Sequence, residues 1–414
     1  MRVYVLCGGL GTRLAHIVKD APKPMAPIGE SPFLEIQLRQ LMKGGATDFV
    51  LLTGHKAEII EDYFANHSEL GRLVRFSRER SPLGTGGALR EALKENPPTT
   101  HFAVANGDTF LDCDLVRLRD EHIRLGGIAT LAVKYRSDCS RYGRILPCGP
   151  AVAGFCEKVD LVSEGLVNAG LYVCSPELAQ EIPNEGFVSL EGSVFPVLAE
   201  RGQLFAMPCE GRFIDIGIEE DYRTAQRNLL RWARTPKCRA AFLDRDGILV
   251  EDNGYLRPGE DVLRQDALPL LKRLQNQGYL LIICTNQAQV AKGLFDPTNY
   301  NAVRNRIEQL LAQEGIVIAG AYMCPFHGDA ALPTYQAESY CRMPEPGMIL
   351  EAAEEHNLDL SQSFMIGDKD LDRIALPGFR SFLLQGDYAF KSSDNAFASV
   401  DLLTEALVRA DLLL

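Results

Sequence analysis

No stretch of this 414-residue sequence approaches the ~20 consecutive apolar residues that a membrane-spanning helix requires. The chain starts directly on a strand-like run, so no signal peptide is expected. Heptads, low-complexity tracts and internal repeats are also lacking, which argues against coiled-coil and solenoid architectures. Positive charge is in deficit: 43 Lys and Arg against 55 Asp and Glu leave a net charge of −12. A general nucleic-acid surface is therefore excluded, and any anionic ligand must be held by a local cluster of Lys, Arg, backbone N–H groups and metal. The eleven cysteines have no paired spacing. Most stand in apolar or strand-like contexts (Cys7, Cys174, Cys284), as free buried thiols of a reducing cytoplasm do. With 46% hydrophobic and 24% charged residues, the chain has enough apolar material for two globular domains.

The first chemical signal is Val5–Leu14, VLCGGLGTRL, an apolar strand running into a glycine-rich turn. Gly8, Gly9 and Gly11 have no Cβ, so the backbone is free to adopt unusual dihedrals and its N–H groups can approach phosphates. Arg13 follows, a planar guanidinium suited to a triphosphate. Such turns also serve strand-to-helix packing, and both readings stand at this point.

Ser31-Pro32 followed by Leu34, Leu38 and Leu41 predicts an amphipathic helix closed by Gly44-Gly45. Phe49–Thr53 and His101–Ala105 read as buried strands. Strands alternating with helices predict a doubly wound, mostly parallel sheet with ligands at the strands' carboxyl ends. Several marked loops fall at such ends: Lys23 in KDAPKPMAPIG, the glycine-rich PLGTGGA (Gly84, Gly86, Gly87), Asn106-Gly107-Asp108, and Asp215 in FIDIGIEEDY. Two aspartates from distant strand ends suit one Mg²⁺, which keeps waters and adds phosphate oxygens. Each residue alone is equally a turn former or a solvated charge.

Taken in order, GGLGTRL with Lys23, PLGTGGA, NGDTF, Glu157-Lys158, Asn168-Ala169-Gly170 and FIDIGIEEDY resemble the sugar-1-phosphate nucleotidylyltransferases over roughly residues 1–230. SRYGRI, which contains Gly143, and SLEGSVFP narrow the likeness to the heptose-1-phosphate guanylyltransferase branch. The resemblance implies attack of a sugar 1-phosphate on the α-phosphorus of an NTP, catalysed by positioning and charge neutralisation. It implies that Arg13 and Lys23 hold the triphosphate and that Asp108 and Asp215 carry Mg²⁺. Lys158 takes the sugar phosphate, and Glu157 and the Asn168 loop take sugar hydroxyls. The backbone of Gly8 and of Gly86-Gly87 faces the nucleoside. Glu79, three residues before Pro82, is suited to accept from the N1–H and N2–H₂ edge of guanine, an edge adenine does not offer; it is equally readable as a solvated charge between Arg78 and Arg80.

A short polar stretch, Trp232–Lys237, separates this half from a second series of strands, placing the domains at 1–232 and 239–414. In AFLDRDGILV an apolar strand delivers Asp244, and Asp246 follows at i+2 across a turn that Gly247 permits. Leu270, Leu271 and Leu274 mark a helix, Tyr279–Cys284 a strand ending in Thr285-Asn286, and Ser363–Ile366 a strand ending in Gly367-Asp368-Lys369. These strand ends resemble the haloacid-dehalogenase phosphohydrolases. DRDG, TNQ, CRMPEPGM and GDKDLD resemble the heptose-bisphosphate phosphatases in particular. The resemblance implies Asp244 as nucleophile and Asp246 as general acid and base. It also implies Thr285 and Asn286 near the phosphoryl group, Arg342 and Lys369 on the phosphosugar, and Asp244, Asp246 and Asp368 around a second Mg²⁺.

Two departures qualify that likeness. Met343 replaces the lysine that follows Arg in the family's CRKP, removing a positive charge from the phosphoryl group. The family's four-residue zinc site is reduced to Cys324 and Cys341, with Phe326 and Ser339 at the other two places and His327 one residue off; zinc is not expected. The second half is thus either a slowed phosphatase or a degenerate domain that binds a phosphosugar or braces the first.

The fold expected is α/β: two doubly wound, mostly parallel-sheet domains, one Rossmann-like and one haloacid-dehalogenase-like. The expected activity is guanylyl transfer from GTP to D-glycero-D-manno-heptose 1-phosphate, with heptose 1,7-bisphosphate as substrate of the second half. A hexose-1-phosphate transferase beside an inert domain is the alternative enzyme, and a nucleotide-sugar sensor the non-enzymatic one. No nucleic-acid or membrane partner is expected, and self-association stays open.

Overall fold

The structure, a computed structural model, describes residues 1–139, 143–156, 164–252, 262–294, 297–386 and 388–413. The chain divides into two compact units, Met1–Thr235 and Pro236–Leu414.

In the first unit the strands are β1 (Arg2–Leu6), β2 (Asp48–Thr53), β3 (Val74–Arg78), β4 (Phe102–Asn106), β5 (Thr109–Leu111), β6 (Ala129–Arg136), β7 (Arg144–Cys148), β8 (Ala151–Cys156), β9 (Gly165–Cys174), β10 (Leu204–Pro208) and β11 (Phe213–Asp215). The main sheet runs β3-β2-β1-β4-β9-β6-β10-β8-β7. β3, β2, β1 and β4 are mutually parallel. Their centres are apolar because both faces are covered, and Val3, Val5, Phe49, Leu51 and Ala103 are fully buried. β9 then enters antiparallel to β4 and β6, so the parallel pairing expected of the sheet holds in this half and gives way to a mixed one beyond it. β5 and β11 form a separate antiparallel pair in which Thr109 faces Asp215.

Helices α1 (Phe33–Lys43), α2 (Ala57–Ala65), α3 (Gly84–Glu95) and α4 (Leu115–Leu125) lie between strands, and α5 (Glu219–Trp232) closes the unit. Leu34, Leu38 and Leu41 of α1 pack into the core with Val3, Val5 and Leu51. Pro32 is the residue before the helix rather than its first residue; it fixes an extended entry and makes no side-chain cap. α4 is capped at both ends: the Asp114 carboxylate accepts from the N–H groups of Val116 and Arg117, and Gly126 ends it in the left-handed region.

The second unit is built on a fully parallel six-stranded sheet with strands β12 (Arg239–Leu243), β13 (Tyr279–Asn286), β14 (Ile318–Cys324), β15 (Phe364–Gly367), β16 (Arg380–Leu384) and β17 (Ala396–Phe397). Its order is β14-β13-β12-β15-β16-β17. Strand order reverses about β12, where the carboxyl ends of β12, β13 and β15 come together. This is where doubly wound sheets place their ligands. Helices α6 (Leu268–Asn276), α7 (Pro297–Gln313), α8 (Gly347–His356) and α9 (Val400–Arg409) cover the sheet. Leu271 and Leu274 of α6, Ile307 of α7 and Leu403 of α9 join Leu243, Ile283 and Ile366 in one core.

Among the described residues, no helix is long and apolar enough to cross a membrane. Cys7, Cys174 and Cys284 are free and buried, whereas Cys148 and Cys238 are free and exposed.

Candidate active sites

In the first unit, the carboxyl ends of β1, β2 and β4 open onto two adjoining cavities. The larger, of about 600 Å³, is walled by Gly8, Gly9, Leu52, Gly54, His55, Glu79, Arg80, Pro82, Gly84, Thr85, Ala88, Asn106, Asp108, Phe187 and Glu191. The smaller, of about 190 Å³, is walled by Gly9, Gly11, Thr12, Arg13, Lys23, Pro24, Asp108 and Gly217. Gly9 and Asp108 belong to both. A large slot with apolar walls thus meets a small cationic one at a carboxylate.

The glycine-rich turn is less unusual than its composition suggests: only Gly11 has a left-handed φ, +58°. Lys23 reaches Asp108 Oδ2 at 2.5 Å and Asp215 Oδ1 at 3.4 Å. Burial raises the Asp215 carboxyl, the Asp108 charge adds to this, and Lys23 opposes both. Two carboxylates beside an open, phosphate-sized space form an all-oxygen donor set that fits Mg²⁺.

Glu79 is half-buried. Its Oε2 accepts the Leu83 N–H at 3.1 Å, and burial raises its pKa.

Other expected residues stand elsewhere. Gly86 and Gly87 both donate their N–H to the Val188 carbonyl and are buried beneath it, so Gly84 and Thr85 of that loop form the cavity wall in their place. The Asn168 side chain is engaged at both ends, accepting from Gly170 N at 2.8 Å and donating to Tyr172 Oη at 2.9 Å. Tyr172 in turn donates to Glu191 Oε1 at 3.1 Å, and Thr85 donates to Glu191 Oε2 at 2.9 Å. Glu191 is therefore a third carboxylate in the cavity wall beside Glu79 and Asp108, and Asn168 holds it in place through Tyr172. Sequence reasoning missed Glu191, although SLEGSVFP had been singled out. Gly143 is exposed and lies outside both linings. Glu157 and Lys158 lie outside the described residues, as do Ser140–Tyr142 of SRYGRI.

In the second unit, Asp244 follows β12 and is 5% exposed, while Asp368 follows β15 and is 1% exposed. Their carboxylates join that of Asp372 in one group whose oxygens lie within 4.8 Å of one another. Burial and mutual repulsion raise Asp244, and burial pushes Asp368 up to about 7 and Asp372 up to about 6. Asp368 Oδ1 is buried with no hydrogen-bond partner among the described residues. Three buried carboxylates, one with an oxygen that takes no hydrogen bond, form an all-oxygen donor set that fits a hard divalent cation. Asp372 was not anticipated; its signal is the last residue of GDKDLD.

Asp246, expected in that group, stands beside it, near enough for its charge to help raise all three carboxyls, but outside the 4.8 Å set. Arg245 grips the Asp246 carboxylate with two parallel bonds of 2.9 Å, and Gln287 adds a third at 3.3 Å. Arg245 is 2% exposed and its guanidinium lies over the Tyr300 ring, so the grip is rigid.

Thr285 is buried and accepts from Gln287. Asn286 clamps the Met343 backbone, donating to its carbonyl at 2.9 Å and accepting from its N–H at 3.0 Å. Met343 is 1% exposed. Arg342 donates to the Phe326 carbonyl. Lys369 lies 2.9 Å from Asp252 and 3.6 Å from Asp368, over the Tyr388 ring. Burial lowers its pKa, but Asp244, Asp368 and Asp252 outweigh this and the net shift is upward.

Cys341 Sγ lies 2.7 Å from Cys324 Sγ and 2.9 Å from Ser339 Oγ. His327 Nδ1 accepts the Asp329 N–H.

The profile of the family described as nucleotidyl transferase matches residues 3–231, and that described as polynucleotide kinase 3 phosphatase matches residues 259–403. The chain is 38% identical to D-glycero-alpha-D-manno-heptose 1-phosphate guanylyltransferase of Campylobacter jejuni over 226 residues, covering 54% of this chain and 97% of that protein. The protein of the same name from Aneurinibacillus thermoaerophilus is 37% identical over 55% of this chain and 98% of its own length. Mannose-1-phosphate guanylyltransferase catalytic subunit beta of Danio rerio is 33% identical over 56% of this chain and 66% of its own length. The chain belongs to the nucleotidyl transferase family and carries a haloacid-dehalogenase-like phosphatase domain behind its transferase domain.

Proposed function

We propose that the first unit transfers a guanylyl group from GTP to D-glycero-D-manno-heptose 1-phosphate, giving GDP-heptose and pyrophosphate. The observation that carries this is the meeting of the two cavities at Asp108: a slot large enough for a nucleoside beside a cationic pocket of phosphate size. A sugar-phosphate oxygen attacks the α-phosphorus, the bond from that phosphorus to the bridging oxygen breaks, and the pyrophosphate leaves with the electron pair. Arg13 and Lys23 offset the charge that grows on the departing phosphates. Asp108 and Asp215 hold Mg²⁺, which supplies further charge neutralisation when bound. Glu79 accepts from the guanine edge, and Glu191 from sugar hydroxyls. The sugar rests on the two heptose relatives at 38% and 37% identity. The zebrafish relative at 33% identity supports a mannose reading less closely. The product, an activated heptose, suits a cytoplasmic step toward surface polysaccharide.

For the second unit we infer a heptose 1,7-bisphosphate phosphatase of reduced activity. Asp244 is the nucleophile, and Asp368 and Asp372 join it in holding Mg²⁺. Met343 leaves the phosphoryl group without the lysine charge, and Arg245 holds Asp246, the intended proton donor, as a doubly bonded carboxylate.

Pyrophosphate release and product mass with GTP and heptose 1-phosphate or mannose 1-phosphate test the reading. Turnover of mannose 1-phosphate alone contradicts it.

A further inference from the structure

The glycine at position 54, directly after β2, is not demanded by a left-handed φ. What its missing side chain leaves room for is a carboxylate from the neighbouring strand. A Cβ at position 54 would stand 2.6 Å from Glu79 Oε1, 3.0 Å from Glu79 Cγ and 3.1 Å from the Gly8 Cα. A Cβ at Gly8 would meet the same Glu79 oxygen from the other side. The Glu79 carboxylate therefore sits in a notch between two glycines.

The notch is one part of a built position. Glu79 N donates to the Thr53 carbonyl at 2.9 Å, which sets the residue beside the Gly54 turn. Glu79 Oε2 accepts the Leu83 N–H. Leu52 and Ala88 supply apolar wall to the same cavity, a surface suited to the face of a flat base. The carboxylate has acceptor capacity beyond the Leu83 bond, and a guanine edge offers two donors side by side where adenine offers an acceptor.

We propose that Gly54 is a specificity-determining residue of the nucleotide site. Its lack of a side chain places the Glu79 carboxylate where it reads the purine edge, so one added methyl group displaces the reader. This rests on the reading that the larger cavity holds the nucleoside. Two of the three atoms that the Cβ meets belong to the flexible Glu79 side chain and the third is the Gly8 Cα at 3.1 Å, so Gly54→Ala shifts Glu79 with a small accommodation at Gly8.

The test is the affinity of the full chain for GTP and for ATP by isothermal titration, for the wild type, Gly54→Ala, Glu79→Gln and the double variant. The wild type prefers GTP. Gly54→Ala loses that preference by about 10- to 100-fold, the worth of a hydrogen bond to a charged group. In the Glu79→Gln background the same substitution adds little, because the reader is already gone. Pairing Gly54→Ala with Glu79→Asp, one methylene shorter, restores part of the preference. A Gly54→Ala protein with the wild-type GTP-to-ATP ratio overturns the proposal, and so does a full additive loss in the Glu79→Gln background. Equal wild-type affinity for the two nucleotides overturns it as well. Failure of GTP to give pyrophosphate with any sugar 1-phosphate strikes the transferase reading instead, and is read in a separate assay.

Discussion

Lys23, in the wall of the smaller cavity, donates at 2.5 Å to Asp108, a residue that lines both cavities, and also reaches Asp215 at 3.4 Å. The lysine thus neutralises the two carboxylates that fit Mg²⁺, and lysine and cation compete for the same oxygens.

Lys23→Met is expected to bind Mn²⁺ several-fold more tightly than the wild type in the absence of nucleotide, by electron paramagnetic resonance titration. Its turnover falls by ~10²–10³, because a charge that offsets the leaving phosphates is gone. Weaker metal binding in the variant contradicts the competition.

The upward shift of Glu79 gives base choice a pH dependence. Burial makes this carboxyl take up its proton at a higher pH than an exposed glutamate does. Preference for GTP over ATP therefore declines on acidification before the ordinary glutamate range is reached, and a neutral Glu79→Gln protein shows a low, flat ratio. Steady-state ratios between pH 5 and 8 check both.

Met343 stands where the phosphatase resemblance implies a lysine, while the ammonium of Lys369 lies 3.6 Å from Asp368 in the buried carboxylate group. Met343→Lys is expected to raise phosphate release from heptose 1,7-bisphosphate by 10-fold or more, within the ~10²–10³ that one transition-state contact is worth. Asp244→Asn abolishes release in either background. An unchanged rate in Met343→Lys assigns the slowness to the Arg245 grip on Asp246.

His122 supplies an acid-sensitive point far from the chemistry. It is fully buried between the Thr130 and Ser175 hydroxyls, with His101 edge-on at 5.2 Å. Burial, helped by His101, lowers its pKa from 6.5 to about 4. Between these values the unfolded chain takes up a proton that the folded chain refuses. Stability is complete above pH 6.5 and falls as pH drops toward 4, by roughly 3 kcal/mol in all. His122→Gln is expected to flatten this slope in urea unfolding measured at pH 7, 5.5 and 4.5.

Most of the fold is legible in the sequence because parallel strands buried on both faces read as short apolar runs. Phe49–Thr53, Tyr279–Cys284 and Ser363–Ile366 match the strands to within a residue or two at each end. The antiparallel entry of β9 was not legible, since pairing direction is a tertiary property that an apolar run does not encode. Asp108, Arg13 and Glu79 follow the carboxyl ends of their strands, which the topology brings together, whereas Lys23 comes in on the short 3-10 turn Lys23–Met25. Motif membership does not reveal whether a donor is already engaged, as those of Gly86 and Gly87 are by Val188 and that of Asn286 is by the Met343 backbone. Glu191 was hidden for the converse reason: a carboxylate inside an ordinary-looking stretch becomes a wall residue only when Tyr172 and Thr85 orient it.

The measurement that bears most directly on the account is product analysis with the purified full chain, Mg²⁺, GTP and heptose 1-phosphate, read by mass spectrometry alongside pyrophosphate release. The account predicts GDP-heptose and pyrophosphate in equal amounts, and slow formation of the same product from heptose 1,7-bisphosphate with phosphate released. Pyrophosphate and a GDP-sugar from mannose 1-phosphate, with none from heptose 1-phosphate, would contradict it.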